Sequence, residues 1–376
     1  MSKRGQDEGS IYRRKDGRWA AAVSLGYVGG KAKRKTVYGA TRTAVQTKLT
    51  RLLAEKQQGL PVVGERQTVG QFLADWLENW AKPSVRPKTF VSYSDTVRLH
   101  IVPAIGRIPL SKLTPQQVQA MLNECLRSGL SPRTVAYVRS VLGIALARAL
   151  KLGLVARNIV ELVDRPRIVR HEIRPLDVEQ ARALLTAAQR HRLSGLFSVA
   201  LALGLRKGEA LGLRWQDVDF DAGTLVISGA LQRIGGKLVR TETKNNSSRR
   251  MLRLPDSTVS ALREHRVRQM EERLLAGQKW QDSGFVFTTR LGSPLDPRNV
   301  LRQFASVLRA AGMAHMRFHD LRHSCATLLL AQGVPARVVQ DILGHSAIRV
   351  TMDTYSHVMP SMRNEAARAM DAILGA

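Results

Sequence analysis

Acidic residues are in short supply in this 376-residue chain: 30 Asp and Glu face 59 Lys and Arg, for a formal net charge of +29. A deficit of that size calls for a polyanionic partner, because basic side chains displace the counterions condensed on phosphates. Solubility alone would need far less excess charge. Cysteine is nearly absent too. Cys125 and Cys325 lie far apart with no paired spacing, so they give no metal-ligand framework and suit a reducing cytoplasm. No apolar run is long enough to span a bilayer, since the longest, residues 196–205, stops at Arg206 and Lys207. The first ten residues are polar and charged, unlike a secretory signal. There is no Asp-Asp-Glu-like metal cluster and no Gly-x-x-x-x-Gly-Lys-Ser/Thr loop, so neither a metal nor a nucleotide cofactor is expected. Internal repeats and low-complexity tracts are missing as well.

What is present is an ordinary apolar share, 44%, spread over a length that exceeds one compact core, so two or three domains are expected. Residues 1–66 carry 15 basic and 5 acidic residues. Short apolar stretches separated by Asp16-Gly17 and Gly29-Gly30 predict a three-stranded antiparallel sheet, followed by a helix over residues 43–58 that Gly59 and Pro61 stop. Residues 67–160 read as helices throughout. Val69, Phe72, Leu73, Trp76 and Leu77 recur at helical spacing, Ser131-Pro132 marks a helix start, and a further helix through residues 141–152 ends at Gly153. Periodicity fades over residues 161–175, where Arg165-Pro-Arg-Ile-Val-Arg-His171 reads as a basic linker able to track a phosphate backbone. A new periodic pattern then covers residues 176–376. The expected architecture is multidomain and mainly α with small β-sheets.

Several basic and aromatic residues are candidates for DNA contact. In the first sheet these are Arg13, Arg14, Trp19, Arg34 and Lys35, on a surface that either enters a DNA groove or is a solvated basic face. In the helical segment they are Arg86, Lys88, Arg133 and Arg139, near helix starts where backbone N–H groups already favour anions. Each of these is equally readable as simple surface charge.

The third segment holds blocks that carry chemistry. Gly204-Leu-Arg206-Lys-Gly-Glu209 comes first, then His319-Asp-Leu-Arg322-His323, Leu343-Gly-His345 and Asp353-Thr-Tyr355-Ser-His357. Alone, an Arg-x-x-Glu is a common helical ion pair, and a lone tyrosine is more often half-buried core. The ordered set, Arg, His-x-x-Arg, His and Tyr, resembles the tyrosine recombinase (phage integrase) family. The resemblance covers residues 172–376, and the two preceding segments resemble that family's arm-type-site-binding and core-binding domains.

That resemblance implies a site-specific recombinase in which Tyr355 attacks phosphorus and forms a covalent 3′-phosphotyrosine. Arg206 and Arg322 would clamp the non-bridging oxygens in a fork that lysine cannot supply, and His319, three residues before Arg322, would face the same site. Phe318, Leu321, Cys325 and Leu328 form the neighbouring apolar stripe. The leaving sugar oxygen needs a proton, which the family draws from a hairpin lysine. Lys244, in the stretch between strands around Leu225 and Leu252, fits that place, with Lys237 as the competitor and with a local pattern that departs from the family's usual one. His345 would donate to the phosphate or position Tyr355, while Glu209 would orient the basic groups or form a plain surface pair.

The implied partners are double-stranded DNA attachment sites, three further copies in a homotetramer, and an accessory excisionase or host DNA-bending protein, with no membrane. The protein would be cytoplasmic, nucleoid-associated when bound to DNA. Met362, Ala366, Ala369, Met370 and Ile373 predict a terminal amphipathic helix that docks on a neighbouring subunit or on its own domain. A non-catalytic regulator and a relaxing topoisomerase are the competing readings.

Overall fold

The computed structural model describes residues 9–28, 31–57, 67–169, 174–242, 249–344 and 370–375. The chain divides into two compact units, Met1–Arg170 and His171–Ala376.

The first unit opens with β1 (Ser10–Arg13), β2 (Trp19–Val28) and β3 (Lys31–Gly39), antiparallel in the order β1-β2-β3. Asp16-Gly17 makes the first turn, with Gly17 at φ 80° and the Asp16 carboxylate accepting from the Arg18 N–H at 3.2 Å. Helix α1 (Arg42–Gln57) covers one face, where Val45 and Leu49 pack on Ala21 and Val23. Alternation along the pleat decides which side chains that helix buries. Trp19 shares the face of Ala21 and packs against this small core.

The helical part of the unit begins with α2 (Val69–Trp76), capped reciprocally by Thr68 and Gln71. It passes through a π turn, Leu77–Ala81, into α3 (Lys82–Ser84). Helix α4 (Pro87–Thr96) does the same through Val97–Ile101 into α5 (Val102–Ile105). In both cases the N–H that closes the wide turn, Lys82 to Leu77 and Val102 to Val97, stands one residue before a proline. Pro83 and Pro103 have no N–H to donate, and their rings would strike the carbonyl four residues back. A widened turn lets the helix continue past them.

Helices α6 (Pro115–Arg127) and α7 (Pro132–Lys151) complete the bundle. The start at Ser131-Pro132 is as expected, but residues 141–152 are no separate helix, because nothing between Thr134 and Val141 breaks the first one. Phe72, Ile101, Leu122, Val138, Leu142 and Leu146 fill the core. A 3-10 turn, Ile159–Leu162, is bound to α7: Arg139 donates to the Val160 and Val163 carbonyls at 2.7 and 3.0 Å, and Asn158 donates to Gly143 O at 3.0 Å.

The second unit starts with α8 (Val178–Gln189) and α9 (Ser194–Ala202), the latter formed by the chain's longest apolar run. A helix apolar all round is stable only when surrounded. Accordingly α9 is buried, with α10 (Lys207–Leu211), α11 (Asp256–Ala276) and α13 (Asp320–Ala331) packed around it. Between α10 and α11 lie β4 (Val218–Asp219), β5 (Thr224–Ile227), β6 (Gly229–Ile234), β7 (Lys237–Glu242) and β8 (Arg250–Arg253). The sheet order is β4-β5-β8, and β6-β7 is a separate hairpin inserted between β5 and β8. Leu225 and Leu252 are direct cross-strand partners. Gly235 and Gly236, both at positive φ, supply the two-residue turn of the insertion.

Helix α12 (Pro297–Ala310) and α14 (Ala336–Leu343) complete the described core, and residues 370–374 are helical with Met370, Ile373 and Leu374 exposed. Residues 362–369 of the expected tail helix lie outside the described residues. Among the described residues no helix is long and apolar enough to cross a membrane.

His265 on α11 is 2% exposed, hydrogen-bonded through Nε2 to Val286 O at 2.8 Å and set against Phe287. Burial pushes its pKa down to about 4, against the opposing pull of the Val286 carbonyl. His323 is likewise lowered to about 4, by burial and then by the charge of His319. Between pH about 6.5 and 4 the unfolded chain binds protons that these folded imidazoles refuse. Their contribution to stability is therefore complete above that window and lost as pH falls through it. Urea unfolding at pH 7.5 and 4.5 should show the loss. His265→Gln should reduce the difference by about 2–3 kcal/mol, and an unchanged difference would refute the assignment.

Candidate active site

The site is built on the elbow between α9 and α10. Gly204 turns the chain at φ 58°, and a Cβ there would run into Leu343 and meet the Cys325 sulfur at 3.2 Å. Leu203 and Leu205, both buried, pin the elbow on either side. The Gly204 carbonyl accepts from Arg322 Nη1 at 2.9 Å, so the turn that presents Arg206 also seats Arg322. Two arginines far apart in sequence are thereby brought to one place.

Arg206 is the residue before α10. Its N–H donates to the Glu209 carboxylate at 3.2 Å and its Nη1 to the other oxygen at 2.7 Å, while Nη2 donates to the Gly344 carbonyl at 3.1 Å. Glu209 is 4% exposed, which excludes a plain surface pair. Burial alone would raise its pKa. The charges and hydrogen bonds of Arg250 and Arg206 outweigh that and hold the carboxyl below its ordinary range.

Arg250 is a residue that sequence reasoning missed. Its Nη2 reaches Glu209 at 3.1 Å and its Nε donates to the Ile342 carbonyl at 2.7 Å. The available signal was its place two residues before buried Leu252, on the inward face of a strand where a cation needs a partner. Ile342 and Gly344 belong to the end of α14, whose last carbonyls lack intrahelical donors and attract cations. Gly344 itself is the left-handed cap, at φ 64°.

Helix α13 brings the second group. His319 precedes its first turn, and Arg322 lies one turn on, 2% exposed. The His319 pKa is lowered, first by desolvation and then by Arg322, with Arg206 and Arg317 adding and Asp320 opposing. The ring is therefore neutral near pH 7 and able to accept a proton. The His323 ring stands edge-on to it at 5.2 Å. Asp320 stays ionised despite burial because Arg317 hydrogen-bonds it through both backbone and side chain.

Lys237 lies at the tip of the β6-β7 hairpin, opposite Ile234. That is five residues, roughly 16 Å at strand rise, from Glu242, the residue that leads into 243–248. Arg233 ties the tip to Asp296, and Arg240 pins the hairpin's other end to Gly212 O at 3.0 Å and Ser228 at 2.6 Å. Lys244, His345 and Tyr355 lie outside the described residues.

The DNA-contact candidates fare differently. The pleat places Arg34 on the open face of the first sheet, and Arg14 stacks its guanidinium there, 5.2 Å from the Tyr38 ring centre. Tyr12 and Tyr38, both 46% exposed, join that face and went unnoticed in the sequence. Arg13, Trp19 and Lys35 share the helix-side face. Packing accounts for Trp19, whose position follows from its pairing with Gly39 beneath α1. Arg86, Lys88 and Arg133 are exposed at the starts of α4 and α7. Arg139 holds the 3-10 turn, which gives it a structural task.

Because Gly204 combines positive φ with close contacts, Gly204→Ala should lower stability by roughly 1–3 kcal/mol and disturb the seat of Arg322. Thermal unfolding of the full chain checks this, and an unchanged melting temperature would refute the role given to the turn.

A sequence model of the phage integrase family matches residues 174–362, and one of the phage integrase N-terminal SAM-like domain matches residues 68–126. An integrase of Saccharopolyspora erythraea is 31% identical, over 95% of this chain and 94% of its own length. A XerC-like tyrosine recombinase of Caldanaerobacter subterraneus is 32% identical, over 91% and 92%. Among solved structures, the Tn1549 transposon integrase in complex with a circular intermediate DNA superposes with TM-score 0.69 at 21% identity, covering 81% of this chain and 99% of that one. A lambda integrase tetramer bound to a Holliday junction gives TM-score 0.58 at 19% identity, covering 94% and 96%. With a family model matching half of it and relatives alike over nearly its whole length, the chain belongs to the phage integrase family of tyrosine recombinases.

Proposed function

We propose that Tyr355 is the nucleophile through which this site-specific recombinase cleaves and rejoins DNA when it integrates or excises a mobile element. The observation that carries the reading is the convergence of Arg206 and Arg322 on one elbow, with His319 close enough to feel the charge of both. The phenol oxygen attacks the scissile phosphorus and the phenol proton passes to neutral His319. A P–O bond to the tyrosine forms as the bond to the 5′ sugar oxygen breaks. Arg206 and Arg322 take up the charge that grows on the non-bridging oxygens. Lys244 gives the leaving 5′ oxygen its proton, and His345 donates to the phosphate. The 3′-phosphotyrosine conserves the bond energy, and attack by a 5′-hydroxyl of the other duplex reverses the steps.

The same reading gives residues 1–66 to arm-type sites, 67–160 to the core site, 161–175 to the linker and 176–376 to catalysis. Arg14, Arg34, Arg86, Lys88 and Arg133 are the contacts it favours. Double-stranded DNA is the partner, four copies make the working assembly, and an excisionase or host DNA-bending protein would set direction.

Nicked duplexes tiled across the DNA flanking the gene should trap a denaturant-resistant, 3′-linked adduct in the presence of chelator. The adduct should vanish in Tyr355→Phe and fall by on the order of a hundredfold or more in Arg206→Ala or Arg322→Ala. An adduct that survives Tyr355→Phe, or one that requires added metal, would refute the mechanism.

A further inference from the structure

Three chain segments that are remote in sequence are tied together around one carboxylate. Each oxygen of Glu209 accepts from one guanidinium, Oε1 from Arg206 and Oε2 from Arg250. Each guanidinium then reaches a carbonyl at the end of α14, Arg206 to Gly344 and Arg250 to Ile342. The four hydrogen bonds close a ring through α10, β8 and the terminus of α14. Arg250 is the member that ties β8 into it, and β8 is the strand that directly follows residues 243–248. Beyond Gly344 the chain runs on to His345 and Tyr355.

We propose that Arg250 is a positioning residue of the strand-cleavage reaction: by bridging Glu209 and Ile342 it fixes the angle of Arg206 and the end of α14 from which the nucleophile's segment departs. The inference rests on the recombinase reading above. Arg250 itself is 92% covered on its side chain, with 8% exposed, so it acts through its neighbours and not on phosphate. A fork is needed because two acceptors of different kinds, a carboxylate and a carbonyl, must be held at once. A lysine ammonium keeps the charge but serves as a single point. Misplacement of reacting groups by about 1 Å costs on the order of a hundredfold in rate.

The test is single-turnover cleavage of a nicked duplex at saturating DNA by the full-length chain. Arg250→Lys should slow adduct formation by about 10- to 100-fold while DNA affinity stays within about threefold of wild type. Arg250→Gln should be slower still. Because Arg250 acts through Glu209, the double variant Glu209→Gln with Arg250→Gln should be no slower than the worse single variant, a pattern that general loss of folding does not produce. Losses that multiply, or a deficit confined to DNA affinity, would overturn the proposal. If Arg250→Gln does not fold, Arg250→Lys decides: wild-type rate overturns the proposal and a slowed rate with intact affinity sustains it. A wild-type chain that formed no adduct would remove the recombinase mechanism and this inference with it, whereas a cleaving wild type matched by Arg250→Lys would remove the inference alone.

Discussion

The second unit is organised around one buried carboxylate. An ionised Glu209 at 4% exposure would be a heavy cost to the fold in isolation, and it is tolerated because two guanidiniums hydrogen-bond it from opposite sides. Those arginines in turn satisfy the last carbonyls of α14, which no helix can satisfy internally. Removing the carboxylate would thus do more than lose an ion pair. It would leave two cations side by side and free the end of the helix that leads to His345.

The rest of the unit supports that arrangement. Gly204 allows the elbow its turn, and its carbonyl seats Arg322. Ser324, one turn along α13, accepts from the Leu176 N–H at 2.9 Å and so ties the helix bearing Arg322 to the start of the unit. Arg240 binds the β6-β7 hairpin to the end of α10. The chemistry asks for several donors fixed to within fractions of an ångström. Here Arg206 and Arg322 are each anchored to backbone belonging to another element.

Much of this could be read in the sequence, and the boundary between legible and hidden has physical causes. Arg206, His319 and Arg322 could be grouped from the sequence because their order resembles that of the family, and the structure places them around one elbow. The start of α7 was readable from Ser131-Pro132, a local signal with a local cause. Other features depend on distant partners. The π turns are set by Pro83 and Pro103 together with a core that favours continuing the helix. The β6-β7 insertion was hidden because Leu225 and Leu252 pair across it, while the Gly235-Gly236 turn was passed over. Trp19 looks like a DNA-facing aromatic until the register with Gly39 puts it under α1. Arg139 reads as a phosphate contact or as surface charge, and Arg250 draws little notice, since the carbonyls and carboxylate they meet come from distant segments.

The guanidiniums of Arg206 and Arg250 share the Glu209 carboxylate, and Arg206 adds to burial in lowering the Arg250 pKa, while Glu209 opposes both. Burial lowers the His319 pKa, and Arg322 and Arg206 add to it. The folded protein without DNA therefore carries an electrostatic load, held in place by hydrophobic packing around α9 and by the Gly204 turn. On the recombinase reading, an arriving phosphate would relieve that load. Part of the attraction for the substrate would accordingly be stored in the protein beforehand, as repulsion among its own side chains, with DNA neutralising charge that the fold has gathered as well as being acted upon.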